Sequence, residues 1–404
     1  MIGGGVFLGM LNYVFTVVMA HAFSVSDFGE FQVYMNLVVM LSVLGGALSP
    51  YAVRMAAVAQ SQDVGSDFNR ILSLYRHNKP RVFGLLAVCI LILMLCVTHF
   101  IAVDGLVPFF IILCTAVVAT LGGIFSGIVQ GLKSFFHFNT VNIGSALVKI
   151  GLCVILAVLT KNPGLALIGF FISQLSIFYF FERKTITTFP QSSRHEPAKM
   201  GNIFTPVFFR DIIYTFLYSA SLSVLFNGDI LLAQISVHDE TLGLMSVFLI
   251  IGKMILYSNV ALMNVVLPYI AGSKESETPV IAIGYGILSS IGAGGIALFK
   301  IFPMFMLHTV FHAPMGTGIE SILWQSGVIA LLLSFMTLEA TIAYASKVPR
   351  FVGILVASTV LFAISMAFFG GSIQALAYVL MYSYGIGWLL LLANRLLRAQ
   401  FASR

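Results

Sequence analysis

The sequence predicts an all-α integral membrane protein, with about twelve transmembrane helices in two parallel six-helix lobes. Three observations predict it. First, the 404 residues are 59% hydrophobic and 9% charged, with a mean hydropathy of +1.02, whereas a soluble domain carries about 25% charged residues. A chain this apolar cannot cover itself with polar surface in water, so its solvent is lipid. Second, uncharged stretches recur at the length a helix needs to cross about 30 Å of hydrocarbon, about 20 residues. The alternating segments of about ten residues that a β-barrel requires do not occur. Third, the polar phrase Ser24-Val25-Ser26-Asp27 returns as Ser236-Val237-His238-Asp239, 212 residues later.

The spans fall, in order, at 2–22, 31–53, 82–103, 106–129, 140–160, 164–181, 205–226, 243–266, 280–304, 321–343, 351–369 and 372–393. The opening stretch has no basic segment before it and no small-residue cleavage site, so it reads as a first span and not a signal peptide. Pro50 is expected to kink the second span near its inner end. The shortest separations are at Asp104–Gly105 and Gly370–Gly371. The most polar stretch, Phe181 to Asn202, carries charges and two prolines and suits a linker. The organisation expected is an N-terminal lobe over 1–182, a cytoplasmic linker over 183–204 and a C-terminal lobe over 205–404.

Orientation follows from the basic residues, which are enriched in cytoplasmic loops. Of the 21 Lys and Arg, 17 lie in alternate connections and the C-terminal tail, Lys161 alone lies in the opposite set, and Lys149, Lys253 and Lys300 lie within spans. Both termini are therefore expected in the cytoplasm. The net charge of +6 records this bias and does not imply a nucleic-acid partner. Six spans separate the two Ser-Val-x-Asp phrases, so both lie on the same outer face, as in parallel repeats. At each, the acidic residues fit a helix-capping role: Asp27 and Glu30 in the first, Asp239 or Thr241 in the second.

Ionisable groups inside spans are costly unless they face water or a partner. Lys149 and Lys253 lie near the middle of spans 5 and 8. Lys300 lies in the outer half of span 9, Asp229 at the outer end of span 7 and Arg54 at the inner end of span 2. Arg54 and Lys300 can snorkel to an interface. For Lys149 and Lys253 two readings stand: an internal salt bridge with Asp229 or Glu339, or a hydrated cationic cavity, which suits an anionic cargo. Cys89, Cys96, Cys114 and Cys153 all fall in apolar runs and read as core-filling residues. His308 and His312 have i,i+4 spacing but no third ligand nearby, and read as a polar helix end. No P-loop, zinc spacing or nucleophile elbow occurs, and no outer loop is large enough to house chemistry, so neither an enzyme nor a cofactor is expected.

The stretch AHAFSVSDFGEFQVYMNLVVMLSVLGGALSPYAVR, ending at Arg54, resembles the opening of bacterial polysaccharide transporters, the Wzx-type O-antigen flippases. These belong to the multidrug/oligosaccharidyl-lipid/polysaccharide (MOP) exporter superfamily. Ser24–Gly29 match the family's outer turn, and Gly45, Gly46 and Arg54 its Gly-rich second span. In the second half, FNGDILLAQISVHDETLGLMSVFLIIGKM and VVLPYIA resemble its span-7 Asp, outer turn, span 8 and Pro-containing exit. The resemblance implies a MOP flippase-like fold and a lipid-linked oligosaccharide as cargo, moved across the inner membrane. Its implied partners are membrane lipids and other polysaccharide-assembly proteins. Lys149, Lys253 and Arg54 would then offset phosphate charge, with Lys300 beyond them, while Asp229 and Glu339 would serve ion coupling or a salt bridge within a lobe. Two rivals stand beside this: a cation-coupled multidrug exporter of the same superfamily, and a membrane oligosaccharide polymerase.

Overall fold

A computed structural model describes the chain apart from Met1 and residues 62–65, 100, 102, 190–205, 238, 273–276, 315, 317, 346–348, 370 and 403–404. The described residues form α-helices throughout: α1 (Ile2–Ala22), α2 (Val25–Leu41), α3 (Val43–Ser61), α4 (Ser66–Thr98), α5 (Leu106–Gly131), α6 (Phe135–Thr160), α7 (Pro163–Thr188), α8 (Pro206–Ser236), α9 (Asp239–Gly272), α10 (Glu277–Ile301), α11 (Ile319–Ala345), α12 (Pro349–Phe369) and α13 (Ile373–Ala402). A π-helical turn, Phe305–Val310, stands between α10 and α11. Among the described residues, nine helices are long and apolar enough to cross a membrane, ten if α2 with α3 makes one bent span. Two shorter apolar stretches, Phe7–Ala22 and Thr241–Tyr257, add to these. The chain is a multi-pass membrane protein.

Several helices outrun the predicted spans. α2 begins at Val25, not 31, and α4 covers Ser66–Thr98 instead of 82–103. Hydropathy marks the lipid-facing part of a helix, and hydrogen bonding carries the helix on through polar turns. Ser24 explains the early start of α2. Its Oγ accepts from the Asp27 backbone N–H at 3.1 Å and donates to Asp27 Oδ2 at 2.6 Å, a reciprocal cap on the first turn. Glu30 lies a turn further on and accepts from Tyr34.

The bend in span 2 also lies elsewhere than predicted. It is 43° and falls at Ser42 between α2 and α3, eight residues before Pro50, which sits inside α3. Ser42 turns its hydroxyl back to the Val39 carbonyl at 3.0 Å, and Gly45 and Gly46 follow. Ser and Gly at one place are an established cause of bends. The proline in α4 does coincide with a break: Asn78, two residues before Pro80, leaves helical geometry at φ −110° and ψ 19°.

The helices cluster into two compact units. The first is Leu37–Ser223; the second joins Ile2–Asn36 to Val224–Arg404. Each is organised about one central helix. In the first, α5 packs on α3, α4 and α7, and α7 packs on α6. In the second, α11 packs on α9, α10 and α13, and α13 packs on α12. Small residues permit the close approaches. A side chain on Gly123 would meet the Gly45 backbone at 3.2 Å in the first unit, and one on Gly252 would meet the Ser326 Cβ at 3.1 Å in the second.

The helices that follow the repeated polar phrases meet within the second unit. A Cβ on Gly29 of α2 would lie 2.8 Å from the Gly243 backbone of α9, and one on Gly243 would strike Val25. The phrases thus start two helices that touch through paired glycines. A second repeat is deeper. Tyr75, Phe125 and Phe178 meet edge to face in the first unit, with ring centroids 5.2 and 5.9 Å apart. The residues 210 positions later, Tyr285, Phe335 and Trp388, stack in the second unit at 5.2 Å for each pair. The same aromatic column is written once per unit.

Candidate functional site

Lys253 and Asp229 are brought together. Asp229, on α8, is 3% exposed and Lys253, on α9, is 7% exposed, and Lys253 Nζ donates to Asp229 Oδ1 at 2.9 Å. The same oxygen accepts from the Ile230 N–H at 2.9 Å. Tyr384 of α13 lies in the same interior and donates to the Leu225 carbonyl of α8 at 2.8 Å. Burial of either charge alone would cost several kcal/mol, and the ion pair with its hydrogen bonds offsets this. The pair is electrically neutral, so Lys253 presents a net cation when Asp229 is protonated or when an anion displaces it.

Lys149, on α6 in the first unit, is also buried, at 9% exposure. Its Nζ lies 6.0 Å from the centroid of the Phe170 ring on α7, and Cys153 occupies the next turn of its own helix. The two helices are close here: a side chain on Gly169 would meet Cys153 Sγ at 2.8 Å. An aromatic face within about 6 Å attracts an ammonium through the ring quadrupole. Lys149 is therefore set in a helix seam, where Lys253 is set against a carboxylate.

Glu339, on α11, is 1% exposed and pairs elsewhere than with a mid-span lysine. It accepts from Arg395 Nε at 2.9 Å and from its terminal nitrogen at 2.8 Å, and from Tyr285 Oη at 2.6 Å. Trp388 in turn donates to Tyr285 Oη at 3.0 Å. Lys300 is exposed in the last turn of α10, where a cation complements the helix dipole. Arg54 belongs to α3, and its side chain lies outside the described residues. All four cysteines are free thiols. Among the described residues, no three His, Cys, Asp or Glu side chains are grouped to hold a metal ion.

Sequence reasoning missed a third buried acid. Glu182 of α7 is 6% exposed and accepts from Tyr75 Oη at 2.7 Å and Lys79 Nζ at 2.9 Å, both on α4. Lys79 also lies 5.5 Å from the Phe178 centroid. This mirrors the Glu339 cluster: a phenol at the head of the aromatic column donates to a buried carboxylate that a cation also holds. The carboxylate and cation stand on α7 and α4 in one unit and on α11 and α13 in the other. The 210-residue recurrence of the aromatic residues is the signal that could have found it.

No family model matches the chain, and no curated protein matches it in sequence. Similar solved structures exist. The lipid II flippase MurJ in an inward closed conformation aligns over 97% of this chain and 86% of its own, with TM-score 0.70 and 15% identity. An inward-facing multidrug resistance MATE family transporter of the MOP superfamily aligns over 96% and 94%, with TM-score 0.64 and 14% identity. A MOP superfamily transporter from Pyrococcus furiosus, described as having a binding pocket of reverse polarity, aligns over 96% and 93%, with TM-score 0.62 and 14% identity. The chain therefore has the fold shared by MATE transporters and a lipid II flippase.

Proposed function

We propose that the protein is a flippase that moves a polyprenyl-pyrophosphate-linked oligosaccharide from the cytoplasmic to the periplasmic leaflet by alternating access, for O-antigen, capsule or similar surface polysaccharide. It works in the bacterial inner membrane with both termini in the cytoplasm. The observation that carries this reading is the burial of one lysine inside each unit, Lys149 and Lys253. Ionisable groups inside a membrane-spanning chain are costly, and they mark substrate and ion pathways. Lys253 is held by Asp229 until a phosphate competes for it, so the charge becomes available when the cargo arrives. Outward movement of a dianion is favoured by an inside-negative potential, by about 4–5 kcal/mol at 100 mV. The fold shared with a lipid II flippase is consistent with a lipid-linked cargo.

A second reading rests on Asp229 itself. A buried carboxylate can exchange a proton or cation, and the fold is also that of multidrug resistance MATE transporters. In that reading Lys253 is the internal counter-ion and the cargo is a cationic drug. The two readings separate on the leaflet distribution of lipid-linked oligosaccharide in cells with and without the protein. The flippase reading expects cytoplasmic-side accumulation and loss of surface polysaccharide in the deletion. Unchanged intermediates would favour drug export, and unpolymerised units on the periplasmic side would favour a polymerase.

A further inference from the structure

The connection between α10 and α11 holds a group of features that transport of the cargo does not use. It carries the π-helical turn Phe305–Val310, a geometry often found at functional positions. It also carries three residues in left-handed backbone: His312 at φ 54°, and Gly316 and Gly318 at φ 77°. Glycine accepts that conformation freely, and histidine is among the other residues that adopt it. The turn sets the His312 side chain against α1, within the same unit. The His312 ring lies 4.4 Å, centroid to centroid, from the ring of His21 in the last turn of α1, inclined at 57°. Phe311 beside it meets Tyr13 of α1 at 6.4 Å.

Both imidazoles are exposed. His21 Nδ1 donates to the Val17 carbonyl at 2.9 Å, which leaves Nε2 to take up a proton. Imidazole is the side chain that ordinarily changes charge between about pH 5 and 8. Neutral rings at this separation attract through dispersion, while two imidazolium ions repel. Charged groups at this end of α11 and α2 have partners of their own. Glu320 of α11 accepts from the Gly316 N–H at 3.0 Å and faces His308 Nε2 at 3.8 Å, while His308 Nδ1 donates to the Ala313 carbonyl at 2.6 Å. Asp27 of α2 is held by Ser24.

We infer that His21 and His312 form a proton-operated latch, closed when both rings are neutral and opened by their protonation, which frees the end of α1 from the α10–α11 connection. The latch lies on the face opposite the basic connections, so it reads the pH of the outer compartment. It does not depend on what the protein carries.

The test uses the full chain in phosphatidylcholine nanodiscs, with the four cysteines replaced by serine and spin labels at Ser26→Cys and Ser321→Cys, both exposed positions. Pulsed electron resonance then gives the label-to-label distance at pH 8 and pH 5. A latch produces a second, longer population at pH 5. That population is lost in His21→Phe, which keeps the ring without the charge, and in His312→Asn, which tolerates left-handed backbone. An unchanged distance in the parent protein would overturn the inference. So would the same lengthening in both variants, which would assign the response to His308 and Glu320.

Discussion

Lys149 and Lys253 show two ways of burying a cation in a lipid-dominated fold. Lys253 meets a carboxylate at 2.9 Å, so its charge is cancelled inside its own unit. Lys149 lies in a seam beneath an aromatic ring at 6.0 Å and beside a cysteine. Equal burial thus goes with different neighbours, a carboxylate in one unit and an aromatic ring in the other. A paired charge becomes a liability as soon as the pair is broken.

The largest effect expected comes from breaking the pair on one side. Asp229→Ala leaves Lys253 charged and enclosed and should cost about 3–5 kcal/mol, read as a lower melting temperature in detergent. The double replacement Asp229→Leu with Lys253→Met should recover most of that stability and still abolish transport. If Asp229→Ala melts like the parent protein, Lys253 is not held as described. Next is the repeated aromatic column. Tyr75→Phe and Tyr285→Phe each remove a hydrogen bond to a buried carboxylate, worth about 1.5–3 kcal/mol. Similar losses in the two variants would support equivalent roles in the two units, and a loss in one alone would break the equivalence. Ser24→Ala removes the cap of α2 and should cost about 1 kcal/mol, seen as faster amide exchange in the first turn. Lys149→Met removes the contact between the ammonium and the Phe170 ring, worth about 1 kcal/mol. A loss as large as that of Asp229→Ala would show that the two lysines are held alike.

The succession of helices was legible because lipid exposure leaves long uncharged runs, and α5, α11 and α12 begin and end within about two residues of the predicted spans. Helix extensions were not legible where polar residues continue the helix, as in the Ser66–Arg81 half of α4, because hydropathy falls while hydrogen bonding persists. The turn between α6 and α7 shows the opposite case. Lys161 adopts left-handed backbone at φ 53°, Asn162 accepts from the Leu165 N–H at 3.0 Å, and Pro163 opens the helix, a sequence signal for a helix start. At the site, an ion pair of Lys253 with Asp229 was one of two readings, because 24 residues of chain separate them and spacing alone does not say which acid turns inward. The Glu182 cluster stayed hidden because its acid stands at a predicted span end and its phenol in a predicted loop. Only their packing shows that they belong together.

The most direct test of the central proposal is reconstitution. Proteoliposomes would carry a polyprenyl-pyrophosphate oligosaccharide in one leaflet, and the fraction reaching the other leaflet would be measured for the parent protein, for Lys149→Met, and for the double replacement of Asp229→Leu with Lys253→Met. Transfer is expected to depend on the parent protein and to fall strongly in both variants while both remain folded. Transfer no faster than in empty liposomes, alongside pH-driven export of a cationic dye by the same preparation, would contradict the proposal.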